Sequence, residues 1–243
     1  FGPAGLGPVK TAIQTLKQLN SLGLRACEIA FTYGAYIKNK EDAEKIGKTA
    51  KELGIKLSIH APYWINLNSK EPKKIEMSKQ RILKSLEIGH YLGAYRIVFH
   101  PGFYSGKNKE ETYETIKKAI LEMQETKQKN KWKPELAPET TGKVNVFGSL
   151  EEISKLVKET NCSFTIDFAH IEAREKKVDH EKIKKLFEKH KKWHIHFSGI
   201  EYNEKGERRH LNTSKEKWKK LLKNLPKDKE ITIINESPNT VKD

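Results

Sequence analysis

Ile166-Asp167-Phe168-Ala169-His170 sets a carboxylate and an imidazole three residues apart where an apolar run ends. Phe164-Thr165-Ile166 reads as a short buried strand, so Asp167 and His170 fall at its carboxyl end and in the turn beyond. Carboxylate and imidazole together suit zinc, manganese or iron, although a strand end is also a natural place for a capping Asp. Recurrence weighs against mere capping. Apolar runs end in the same way at His60, His100, Glu139, His196 and Glu236.

Outward from that stretch, strand and helix patterns alternate. Val9 to Leu22 carries apolar residues at helical spacing and stops at Gly23; Cys27 to Phe31 is strand-like; Asp42 to Leu53 is a helix closed by Gly54. Strands are predicted at Ile55–His60, Tyr95–His100, Glu135–Glu139, Ser163–Asp167, Trp193–Ser198 and Glu230–Glu236. Helices are predicted at Glu76–Leu92, Glu110–Lys127, from Ser149 through Glu159, Glu181–His190 and Thr213–Leu225, with a basic connector at Gln128–Lys133. About eight strands separated by helices must run parallel, the pattern of a closed (β/α)8 barrel, an α/β fold. A doubly wound open sheet is the alternative, but the polar strand ends are spread over most strands and no Gly-rich phosphate loop follows any of them. On this reading residues 1–243 form a single barrel domain, with the first strand partly missing and the last helix absent.

Lys and Arg number 47 against 32 Asp and Glu, a net charge of +15. Such a surplus points to a polyanionic partner, nucleic acid first. A thermophilic surface would explain the abundance of charge but not its sign. Cys27 and Cys162 cannot build a disulfide framework and sit in or beside apolar strand patterns, which predicts buried free thiols and an intracellular, cytoplasmic protein. No apolar run approaches the ~18 residues of a membrane span. A monomer with no membrane association is expected.

A barrel would bring His60, His100, Glu139, Asp167, His170, His196, His210 and Glu236 to one face. These exceed the four ligands of one tetrahedral zinc, so two or three ions are implied. His90, His180 and His190 lie on or beside predicted helices and read as surface residues.

Six blocks resemble the endonuclease IV family, in its order and over nearly the whole chain. They are Ser58-Ile59-His60-Ala61-Pro62-Tyr63-Trp64-Ile65-Asn66-Leu67, Phe99-His100-Pro101-Gly102, Pro138-Glu139-Thr140-Thr141-Gly142, Ile166-Asp167-Phe168-Ala169-His170, His194-Ile195-His196-Phe197-Ser198 and Asn235-Glu236-Ser237-Pro238-Asn239. The resemblance implies a TIM barrel with a multinuclear Zn2+ site that cleaves the DNA phosphodiester 5′ to an abasic site and leaves a 3′-hydroxyl. It implies that His60, His100 and Glu139 hold one ion. Glu139, the candidate catalytic residue, bridges to a second held with Asp167, His196 and Glu236. His170 and His210 belong to a third. Where the family has an Asp-Arg-His triplet this chain has Arg208-Arg209-His210. A guanidinium cannot ligate zinc, so Glu207 or Glu201 must replace the acid if the third site is kept. Arg208 is then expected to turn outward. His194 shares the inward register of His196 and could also act inside the barrel.

Clustered divalent ions, zinc or manganese among them, activate water, polarise a phosphate and stabilise a departing alkoxide, so no protein nucleophile is required. Tyr63 and Trp64 would lie at the mouth, able to stack where a base is missing. Lys143, Arg208 and Arg209 are the candidate phosphate contacts. The partner implied is double-stranded DNA containing abasic sites. A metal-dependent sugar isomerase or epimerase on the same barrel, and a non-catalytic abasic-site or single-strand binder, are the alternatives.

Overall fold

The computed structural model describes residues 1–241. Among them, eight parallel strands form the barrel wall: β1 (Gly2–Pro3), β2 (Ala26–Ala30), β3 (Lys56–His60), β4 (Arg96–Phe99), β5 (Glu135–Pro138), β6 (Ile166–Asp167), β7 (Lys192–Phe197) and β8 (Glu230–Asn235). They pair as two four-stranded runs, β2-β3-β4-β5 and β1-β8-β7-β6. Parallel bridges between Ala4 and Glu28 and between Glu139 and Thr165 join the runs at both seams and close the barrel. β1 is two residues long, and no helix follows β8 among the described residues.

Helices alternate with these strands: α1 (Ala12–Ser21), α2 (Lys40–Glu52), α3 (Pro72–Leu92), α4 (Lys109–Lys129), α5 (Leu150–Thr160), α6 (Phe168–Glu175), α7 (His180–Leu186) and α8 (Lys215–Asn224). Local signals set their ends. Asn39, Asn108 and Ser149 cap α2, α4 and α5 through side-chain acceptors, Ser149 with Glu152 as a reciprocal capping box. Gly93 ends α3 in the left-handed region at φ 67°. No helix among the described residues is long and apolar enough to cross a membrane.

Strand alternation divides the wall into two faces. Ile29, Ile59, Ile97, Leu136, Ile195 and Ile233 join the apolar layer between strands and helices. Of the intervening residues, Ser58 and His194 bond to Glu28 across the barrel interior, His196 approaches it to 2.9 Å, and all four are buried. Cys27 and Cys162 are free and buried, and burial pushes both thiols up to about 12.

Three features depart from the sequence expectation. The turn after Asp167 is a helix, α6, because Asp167 acts as its N-cap. An antiparallel hairpin, Gly199–Asn203 with Gly206–Leu211, occupies the stretch left without an element between the seventh strand and the last helix, because only Ile200 and Tyr202 alternate there. His90, His180 and His190 are half-buried rather than surface residues: His180 stacks on Phe168 at 5.6 Å and His190 meets Phe164 edge-on at 5.1 Å. A second, minor pair, Gly102–Phe103 with Val146–Phe147, ties the loop after β4 to that after β5.

The α2–α3 contact depends on a missing side chain, since a Cβ on Gly47 would lie 2.3 Å from the Leu92 carbonyl oxygen. Backbone cannot yield there as a flexible side chain would. Gly47→Ala is therefore expected to lower stability by about 1–3 kcal/mol despite its better helix propensity, measured as a fall in the urea midpoint. An unchanged or raised midpoint would show that the two helices slide apart at no cost.

Candidate metal centre

Asp167 illustrates how local folding builds the site. Its Oδ1 accepts the His170 backbone N–H at 2.8 Å and so caps α6, which places the His170 ring one turn above it. Its Oδ2 is buried without a hydrogen-bond partner. Capping and a free inward acceptor are thus properties of one carboxylate, and the orphaned oxygen suits a cation.

Glu139, at the end of β5 and fully buried, is the centre of the cluster. His60 Nε2 lies 3.2 Å and His100 Nε2 3.0 Å from its Oε2; His196 Nδ1 lies 3.1 Å and His170 Nδ1 3.4 Å from its Oε1. Burial alone would raise the pKa of Glu139, but the charges of His196 and His100 and the bonds from His100 and His170 hold it well below the carboxylate range. Glu236, 3.2 Å from His196 Nδ1, is held at about 2 because His196 outweighs its burial. Asp167 goes the other way, to about 6, because burial and the charges of Glu236 and Glu139 exceed the pull of His170. His60 rises against its burial to about 9 through Glu139, and His170 and His196 rise well above the ordinary value beside Asp167 and Glu236 respectively. Protons on these rings occupy the space between carboxylates that a divalent cation would fill on displacing them.

Tautomers are set from outside the cluster. His60 Nδ1 is 2.8 Å from the Ala61 carbonyl oxygen and His170 Nδ1 is 2.9 Å from that of Thr140. His210 Nδ1 is 2.7 Å from Ser198 Oγ, which itself donates to the Gly199 carbonyl. Each Nδ1 therefore carries hydrogen, and each Nε2 is left for the site.

Three neighbouring donor sets result, the first two sharing Glu139, each with its ligand atoms within 4.8 Å of one another: His60, His100 and Glu139; Glu139, Asp167, His196 and Glu236; and His170, Glu207 and His210. In the third, Glu207 stands where the triplet offers only arginine. Its carboxylate oxygens are 3.4 Å from His170 Nε2 and 3.7 Å from His210 Nε2. Strict alternation back from His210 would direct Arg208 inward and Glu207 outward. The hairpin instead shifts register between Glu201 and Tyr202, pairing them with Arg209 and Glu207 and leaving Arg208 unpaired. This bulge returns Glu207 to the face of His210. Arg208 points away from the site, 3.3 Å from Glu201, which is also bonded by Arg209 at 2.6 Å. Glu201 is thereby committed to the two arginines and is not in any of the donor sets.

Gly206 and Gly142 let the hairpin come this close. A Cβ on Gly206, whose φ is +99°, would meet the Gly142 carbonyl oxygen at 2.2 Å, and one on Gly142 would meet Glu207 Cβ at 2.7 Å.

Above the donor sets lies a hollow of about 270 Å³ lined by His100, Phe103, Lys143, His170, Glu207 and Glu236, and beside it one of about 260 Å³ that includes His60, Tyr63 and His210. Tyr63 and Trp64 are 64% and 63% exposed, and only Tyr63 lines these hollows. Lys143 is exposed at the rim, with its carbonyl held by Arg174 at 2.7 Å. Sequence reasoning missed Glu28, buried beneath the cluster, and the exposed rings of Tyr33 and Phe103. Glu28 lies at mid-strand rather than at a strand end; Tyr33 stands in a loop and Phe103 in a two-residue strand too short to show a pattern.

The pattern of the xylose isomerase-like TIM barrel family matches residues 16–241. The chain belongs to that family. It is 40% identical over 259 residues to the uncharacterized protein MJ0133 of Methanocaldococcus jannaschii, covering 98% of this chain and 91% of that one. It is 30% identical over 131 residues to a probable endonuclease 4 of Acholeplasma laidlawii, covering 50% of this chain and 44% of that one. Endonuclease IV from Thermus thermophilus superposes with a TM-score of 0.73 at 20% identity, covering 99% and 94% of the two chains. A D-tagatose 3-epimerase-like protein superposes with a TM-score of 0.72 at 18% identity, covering 99% and 92%. At those identities the superpositions establish the fold alone, and both a nuclease and an epimerase share it.

Glu207→Ala is expected to lower bound zinc by about one ion per chain, while Glu201→Ala leaves the count unchanged, as read by elemental analysis of purified protein. Equal zinc in both variants and the unmodified chain would remove Glu207 from the third set.

Proposed function

We propose that this chain is a divalent-metal-dependent endonuclease that incises DNA 5′ to an abasic site. The observation that carries this reading is the run of three donor sets in contact, with Glu139 shared between two of them, along an open hollow. An epimerase working on one or two ions leaves the third set, with its bulged hairpin and glycine contacts, without a use. The net charge of +15 adds a reason for a polyanionic substrate.

In this reading His60, His100 and Glu139 hold the first ion; Glu139, Asp167, His196 and Glu236 the second; His170, Glu207 and His210 the third. Nitrogen and carboxylate donors of this kind suit zinc, and manganese is compatible. Bound there, the ions supply an activated water near neutral pH and positive charge for the phosphate and its leaving oxygen. Glu139 is the catalytic carboxylate in the sense that it belongs to both of the first two donor sets and would help hold the ion of each. Tyr63, at the wall of the hollow, fills the space of the missing base, with Trp64 beside it on the exposed rim. Lys143 faces phosphate from the rim, and Arg208 and Arg209 do so from the hairpin once released from Glu201. His60 and His170 keep their bonded Nδ1 throughout, so their Nε2 atoms need no reorganisation on substrate binding.

Incision of a duplex carrying a single abasic analogue should be abolished by EDTA and restored by zinc, with no turnover of a panel of ketohexoses assayed in parallel. Ketose epimerisation without incision would replace this function by a sugar enzyme, and tight binding without cutting would replace it by a recognition module. Affinity for the same duplex should fall about 40-fold between roughly 50 and 200 mM salt if Lys143, Arg208 and Arg209 each neutralise a phosphate. Replacing all three by Gln should flatten that dependence; a slope that survives the triple substitution would place the phosphate contacts elsewhere.

A further inference from the structure

Among the inward-facing histidines of the three donor sets, His196 is reversed. His60, His170 and His210 tie Nδ1 to an oxygen outside the cluster. His196 directs Nδ1 into it, 3.1 Å from Glu139 and 3.2 Å from Glu236. Its Nε2 faces away, toward the barrel interior, where the backbone of the surrounding parallel strands is engaged in ladder pairing. A backbone carbonyl therefore cannot play the part that Ala61 and Thr140 play for the other rings.

Glu28 stands at that place. Its Oε1 is 2.9 Å from His196 Nε2, and neither atom has a hydrogen-bond partner elsewhere among the described residues. The two atoms are at hydrogen-bond distance, and each is the one group within reach that could satisfy the other. Oε2 of Glu28 is fully engaged, accepting from Ser58 Oγ at 2.7 Å and facing His194 Nε2 at 2.9 Å. His194 Nδ1 is in turn bonded to the Tyr95 hydroxyl. Glu28, His194 and His196 are completely buried, leaving no water-exposed alternative for any of them.

We propose that Glu28 is a positioning residue of the metal centre, whose Oε1 takes the Nε2–H of His196 and thereby commits His196 Nδ1 to the second ion. An ionised carboxylate can only accept, so the ring nitrogen facing it must carry hydrogen and the opposite nitrogen must present its lone pair. Ser58 and His194 occupy the other oxygen and hold the carboxylate in this orientation, as a supporting shell does for a metal-ligating imidazole. Glu28, His194 and His196 also approach within 4.8 Å as a possible ligand set of their own. His194 has both ring nitrogens engaged, Nε2 with Glu28 Oε2 and Nδ1 with the Tyr95 hydroxyl, and so has no lone pair for an ion, which favours positioning over ligation. The inference rests on the metal centre of the proposed function, though not on which substrate that centre serves.

Glu28→Gln tests it with almost no change of shape. Ser58 and His194 would claim the amide oxygen, so the amide NH2 would face His196 Nε2 and demand an acceptor there, turning hydrogen onto Nδ1. Zinc affinity of the second site, measured by chelator competition, should fall about 10–100-fold, with thermal unfolding of the folded variant recorded beside it. In zinc-loaded unmodified protein, 15N spectra of labelled histidine should find hydrogen on Nε2 of His196 but on Nδ1 of His60, His170 and His210. That measurement stands even where the variant does not fold. Hydrogen on Nδ1 of His196, or zinc affinity in folded Glu28→Gln within about twofold of the unmodified chain, would overturn the role of Glu28 alone. An unmodified protein that takes up no metal would overturn it together with the metal centre.

Discussion

A fully buried carboxylate at the end of β5 sets the terms for the rest of the site. Desolvating Glu139 costs several kcal/mol, and an unpaired anion at that depth would be expelled or neutralised. It persists because four imidazole nitrogens from different segments approach its two oxygens within 3.4 Å. Those rings are supplied by β3, by the residue after β4, by α6 and by β7, so only a closed barrel could bring them together. Closure has its own requirement at this point, since Glu139 also forms the parallel bridge to Thr165 that joins the two strand runs. Fold and donor cluster therefore share a residue.

Much of this was legible because barrel geometry converts a one-dimensional regularity into a three-dimensional one. A polar residue that ends one apolar run says little, but the same event at His60, Glu139, Asp167, His196 and Glu236 becomes a ring once the strands are parallel. What escaped the reading did so for local reasons. Glu28 sits inside Ala26–Ala30 between Cys27 and Ile29, where an acid resembles the polar half of an ordinary alternating strand. Only its enclosure by His194, His196 and Ser58 separates a functional charge from a solvated one. Helix α6 was hidden because Phe168-Ala169 continues the apolar run of the strand, and the cap at Asp167 is ambiguous between a turn and a helix start. The hairpin at 199–211 offers only Ile200 and Tyr202, which pack on Ala169 and Ala173, on its first arm and a single apolar residue, Leu211, on its second, too little to mark strands in sequence.

Arg208 shows how a one-residue displacement in sequence need not be a displacement in space. An acid one position early on a β-arm should by alternation point to the wrong face, so Glu207 would not by spacing alone replace an acid at 208. The bulge at Arg208 absorbs the extra residue and restores the face, and two glycines at the loop contact let the arm approach closely enough. Glu201 then draws Arg208 and Arg209 away, keeping two guanidinium charges from facing the donor atoms. Replacement, bulge, glycine contact and ion pair form one compensated unit, and each would be puzzling without the others.

That history of compensation also separates the three donor sets physically. The first two rest on strand ends bound into the barrel ladder, with Glu139, Asp167 and His196 fully buried. The tautomer of His60 is fixed there by a carbonyl and that of His196 by Glu28, so little freedom remains at those two rings to be lost when a cation enters. The third has one anchor of that kind, His170, while Glu207 and His210 are half-buried on a two-stranded arm outside the ladder. Glu207 already lies 3.4 and 3.7 Å from the two imidazoles, about the separation of donors around one tetrahedral ion, so the difference lies in the arm that carries it. Ordering an arm on binding reduces net affinity even when the donors are chemically equivalent. Ion affinity should consequently descend from the shared Glu139 positions to the hairpin position, placing the most exchangeable charge at the rim of the hollow, where a phosphate oxygen could complete its shell.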